Sequence, residues 1–139
     1  MTPPEWKILI KMDVLAKPEG LWTKVCDYIE GSMKLKVEAH GTWDYSIGKN
    51  CSPDGKRAEG LLVESLVPSA PVGALIGKIG GGTAEKPDPA KSFVFVVGSY
   101  CVVNIDTNTK GALFLTMNDL VKRFDEHGGK VTVEVYEAR

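Results

Sequence analysis

The chain has 139 residues, 43% hydrophobic and 25% charged, with a formal net charge of −1. These are ordinary globular values for a chain of single-domain length. Lysine and arginine are nowhere concentrated, which argues against nucleic acid or an anionic membrane surface as the main partner.

The opening run, Met1 to Ala16, is broken by Lys7, Lys11 and Asp13 and lacks the uninterrupted apolar centre of a signal peptide. No stretch offers the roughly eighteen apolar residues of a membrane helix. The expected location is the cytoplasm, with export by a non-classical route left open. Cys26, Cys51 and Cys101 are an odd number without C-x-x-C spacing, so they read as free thiols in a reducing compartment. Cys26 and Cys101 are expected in or near the core and Cys51 in a polar loop.

In chain order, Ile8, Ile10, Met12 and Val14 alternate with Lys7, Lys11 and Asp13, the pattern of a strand with one wet face. Leu21, Trp22, Val25, Tyr28 and Ile29 share a face at helical spacing and leave a helix open for that segment. Leu35, Val37 and Ala39 alternate with lysines and a glutamate as a second half-exposed strand. Ser46 to Gly55 reads as loop, Leu61 to Val67 as a weak strand candidate. Gly73 to Ile79 reads as a strand whose glycines suggest a bulge or a close backbone approach.

Phe93 to Val97 and Ala112 to Met117 are apolar on both sides and are expected to be central strands. Tyr100 to Ile105 is a weaker candidate. Asn118-Asp119 can cap a short helical turn with Leu120, Val121 and Phe124 inward, stopped at Gly128. Val131, Val133 and Val135 then alternate as a final strand. About eight antiparallel strands with no long helix point to an all-β sandwich, one domain over residues 1–139.

Several segments together resemble the PA-I-like galactose-binding bacterial lectins. They are Trp22-Thr23-Lys24-Val25, Lys34 to His40 followed by Gly41-Thr42-Trp43-Asp44-Tyr45, Gly73 to Gly80, Gly111 to Asp119, and Gly129 to Val133. The similarity runs from about Trp6 onward. It implies a jelly-roll sandwich of the galactose-binding-domain type, with calcium at one end shared between protein oxygens and two sugar hydroxyls. A hard cation that takes six to eight oxygen ligands suits that arrangement.

Carried over by position, the resemblance implies metal ligands at the Tyr45 carbonyl, the Asp119 carboxylate and the Arg123 carbonyl. The family's two asparagines correspond to Glu126 and His127. Glutamate can still ligate calcium, whereas histidine suits a transition metal better. The sugar-contacting histidine and glutamine of the family correspond to Lys56 and Glu59, and the sugar positions are then Tyr45, Lys56, Glu59 and Asp119. Alternation along its strand is expected to turn the Asp119 carboxylate out of the core at the sandwich end. Calcium binding is expected to be weak or absent, and sugar preference weak or altered.

The same residues have plainer readings. Asp119 and Glu126 also suit a solvated acidic turn beside Lys122 and Arg123, and His40 an exposed edge. Gly80-Gly81-Gly82-Thr83 lacks the helix start that a phosphate cradle needs, which leaves a flexible surface loop. Trp22 and Trp43 are expected in the core. No nucleophile elbow or triad is visible, and an enzyme is not expected. The expected function is therefore a galactose-type carbohydrate-binding module with a partly degenerate calcium site, assembled as a homo-oligomer. A non-sugar interaction or assembly domain on the same scaffold, without metal, is the alternative, and a small hydrolase is a distant third.

Overall fold

The structure is a computed structural model that describes residues 5–57, 60–83, 87–88 and 90–139. Its strands are β1 (Lys7–Leu15), β2 (Thr23–Glu30), β3 (Met33–His40), β4 (Trp43–Ser46), β5 (Lys49–Cys51), β6 (Asp54–Lys56), β7 (Val72–Ile79), β8 (Phe93–Val96), β9 (Tyr100–Ile105), β10 (Lys110–Met117) and β11 (Gly128–Ala138). A 3-10 helix, Val121–Glu126, joins the last two.

The strands form two antiparallel sheets. In the first, β11 lies between β1 on one side and β3 with β4 on the other, while β9 and β5 continue outward from β3 and β4. In the second the order is β2-β10-β7, and β6 and β8 both pair with the far side of β7. The fold is the antiparallel sandwich that the alternation implies.

Between the sheets, Val14, Leu35, Val37, Val131, Val133 and Val135 meet Leu75, Ile79, Leu113, Leu115 and Met117 in one apolar core. Each such side chain withdrawn from water contributes about 1.5–3 kcal/mol, and period-2 alternation is what aims them all to one side. A second apolar cluster covers the outer face of the β7–β10 sheet. Trp22, Leu66, Val67, Ala70 and Phe124 pack there on Ala74, Ile76 and Phe114. β7 is consequently buried along its whole length.

Some segments depart from the sequence reading. The helical spacing of Val25 and Ile29 belongs to a strand. Pairing of β2 with β10 shifts register between Gly111 and Leu113 and again between Leu113 and Phe114. Extra residues on β2 reset its alternation and place two inward residues four apart. β8 is an edge strand, paired only with β7 among the described residues, although its residues are apolar on both sides. The Ser46–Gly55 stretch holds β5 and β6 rather than loop alone, and eleven strands are described instead of about eight. Residues 61–67 form turns and bends, not a strand.

The close approach anticipated around the β7 glycines occurs at Gly73. Its φ is +87°, and a Cβ there would stand 2.5 Å from Cys51 Sγ. The Gly73 carbonyl accepts a 2.8 Å hydrogen bond from Trp43 Nε1. Cys51 is therefore buried against the core, not placed in a polar loop. All three cysteines are free. Trp22 and Trp43 are both core residues.

Candidate functional site

β10 ends in two wholly buried polar residues, Asn118 and Asp119. The Asn118 side chain faces the turn that follows β6. Its Oδ1 accepts from Val67 N at 2.8 Å, and its Nδ2 donates to the carbonyls of Ala70 at 2.9 Å and Val67 at 3.0 Å. One amide thereby supplies the backbone partners that an irregular buried segment lacks.

Asp119 starts the turn into the 3-10 helix. Its Oδ1 accepts from Leu120 N at 2.7 Å, and Arg123 Nε lies 3.6 Å from the same oxygen. The backbone then turns through Arg123 N to Leu120 O at 3.0 Å and His127 N to Phe124 O at 3.1 Å. Phe124 anchors the turn in the outer cluster, with its ring centroid 4.5 Å from that of His127.

That path brings the His127 ring back over Asp119. Nε2 lies 2.9 Å from Asp119 Oδ2, and Nδ1 lies 2.9 Å from the carbonyl oxygen of Ala16. Both side chains are fully shielded from solvent. A carbonyl only accepts, so Nδ1 can serve Ala16 only as a donor. The expectation that the Asp119 carboxylate leaves the core is thus corrected. The strand end is roofed by His127 and the Ala16 backbone, so the carboxylate points into protein.

The remaining sequence-derived positions gather around this centre unequally. Glu126 Oε1 accepts from Ser46 Oγ at 3.0 Å, so the loop does return to the end of β4. Tyr45, one residue earlier, is buried in the inter-sheet core. Lys56 is exposed on β6. Burial pushes the neighbouring Cys51 thiol up to about 11, with Lys56 pulling it down and Asp44 pushing it further up. Glu59 falls outside the described residues.

These donors do not make a calcium cradle. The ion needs six to eight oxygens, yet Asp119 Oδ1 faces Leu120 N and a guanidinium, and Oδ2 faces a ring nitrogen. Glu126 turns to Ser46 instead. Among the described residues no three His, Cys, Asp or Glu side chains group in a way that would hold a metal.

Sequence reasoning missed the Ala16 carbonyl and Ser46, and it gave the Arg123 side chain only the place of a neighbour in a solvated acidic turn. Arg123 four residues after Asp119, ahead of a histidine on the far side of a turn, was the available signal. Ala16 left none.

No family model matches the chain, and no curated protein matches it. Among solved structures it is similar to one described as "EclA N-terminal domain; PllA-like lectin". The TM-score is 0.64 at 18% identity, covering 94% of this chain and 97% of that one. At this identity the likeness establishes a shared fold over nearly the full length of both.

Proposed function

We propose that the chain is a carbohydrate-binding module of the lectin type, taking galactose-type sugars at the sandwich end where Ser46 of β4 meets Glu126 of the 3-10 helix. The observation that carries this reading is the end-to-end likeness to the fold of a protein described as a lectin. The segments that resemble galactose-binding lectins in sequence add to it, and several of them, Trp43 to Tyr45 and Asn118-Asp119, lie at that end. Polar groups available to sugar hydroxyls there include Ser46 and Glu126, and Lys56 is exposed on β6.

The reading includes no catalysis. The His127 side chain is buried, with both ring nitrogens on protein oxygens. His40, the other histidine, is exposed beside Glu134 at 3.9 Å. A shallow site of this type binds weakly as a single copy, and a homo-oligomer would raise its avidity.

The test is a glycan array followed by thermal denaturation with the best sugars, each run both in millimolar calcium and in a chelator. A ligand at a hundred times its dissociation constant stabilises the fold by about 2.7 kcal/mol. A galactoside that raises the midpoint, and loses that effect in Lys56→Ala or Glu126→Ala, supports the reading. An array with no carbohydrate signal and no thermal shift with any sugar contradicts it.

A further inference from the structure

Three segments distant in sequence meet at one imidazole ring: the end of β1 through Ala16, the end of β10 through Asp119, and the start of β11 at His127. The contacts are short, wholly buried and chemically complete. Nδ1 serves the Ala16 carbonyl and Nε2 serves Oδ2, while Leu120 N and Arg123 Nε serve Oδ1. Each ring nitrogen and each carboxylate oxygen of the central pair already faces a group of the protein.

We infer that the His127 ring, with the Arg123 guanidinium beside the same carboxylate, fills the place beside Asp119 that a metal ion would occupy, so that the chain itself holds this end of the sandwich closed and neither needs nor takes calcium. An aspartate buried in apolar surroundings must have a positive or hydrogen-donating partner. A metal is one such partner; here the partner is covalently part of the fold. Calcium could reach Oδ2 only if the ring swung out, which would leave the Ala16 carbonyl and the ring nitrogens without partners inside the protein. The guanidinium would still stand near the same carboxylate, and like charges repel most strongly where water is excluded.

The arrangement also explains how three chain ends stay together without a metal. Backbone pairing brings Ala16 N onto Gly129 O at 3.0 Å, and the ring locks the adjacent carbonyl to β10. This inference goes beyond the carbohydrate reading and is tested without any sugar, so either can fail alone.

The experiment is thermal denaturation and calorimetric titration of the full chain with calcium alone, against a chelator control, for the native protein and for His127→Asp. The native protein is expected to show no calcium heat and the same midpoint in calcium and chelator. His127→Asp puts a second carboxylate where the ring stood, and is expected to melt lower in chelator and to regain several degrees in millimolar calcium. A native protein whose midpoint rises with calcium, with the rise lost in Asp119→Asn, overturns the inference. So does a folded His127→Asp that ignores calcium, because the ring would then not be what excludes the ion. If that variant does not fold, NMR titration of the native protein with calcium decides: His127 ring signals unmoved in millimolar calcium support the inference, and saturable shifts centred on Asp119 and His127 overturn it.

Discussion

The two faces of the β7–β10 sheet are both buried, but by different means. The inner face is covered by another sheet, whose valines and leucines alternate regularly and need no polar help. The outer face is covered by turns around residues 65–71, by Trp22 and by the 3-10 helix. Turns pair only part of their own buried backbone, so the outer cover also depends on single polar pegs. Asn118 holds the 65–71 segment. Lys78, 1% exposed, reaches the Gly82 carbonyl at 2.7 Å with its ammonium 4.6 Å from the Trp22 ring centre. Hydrocarbon closes one face, and a few hydrogen bonds hold the lid over the other.

Substitutions that separate the two faces should rank accordingly. On the inner side, Trp43→Ala removes a wholly buried indole and strands the Gly73 carbonyl; a loss of about 4 kcal/mol in urea denaturation is expected. On the outer side, Asn118→Ala takes the side-chain partner from the Val67 amide and the Ala70 carbonyl and should cost about 3 kcal/mol. It should also speed hydrogen exchange at Val67 and its neighbours more than in β3 or β11, which Trp43→Ala should not do selectively. Equal exchange everywhere would mean that the lid is not a separate unit.

Alkali should strike the inner face. Burial raises Cys26, Cys51 and Cys101 from 9.0 to about 11, and all three belong to or pack on the inter-sheet core. A folded-state value above the unfolded one favours the fold below the unfolded value, and that advantage is lost as pH rises. Stability should therefore fall between pH 9 and about 11, less steeply in a variant with all three cysteines changed to alanine. Denaturation at paired pH values measures the slope. The smallest effect expected is that of Ser46→Ala, which breaks one exposed hydrogen bond to Glu126 and should move stability by no more than about 0.5 kcal/mol.

The same contrast explains what the sequence made legible. β1, β3 and β11 were readable because one face of each is wet and the other meets the core. β8 was misjudged because apolar residues on both sides report two covered faces, not two neighbouring strands. Phe93 and Phe95 pack inward while Val94 packs on the outer cluster. β2 was ambiguous because its register shifts imitate helical spacing. At the candidate site, the return of the 119–127 loop toward β4 was legible from spacing. The burial of Asp119 was not, since the carbonyl that completes its roof comes from Ala16, 111 residues before His127.

The most direct test is a crystal structure of the full chain soaked in millimolar calcium and a galactoside. The account expects the sugar at the surface near Ser46 and Lys56, Asp119 Oδ2 still against His127 Nε2, and no metal touching either. A calcium ion bound to Asp119 with the His127 ring displaced would contradict it.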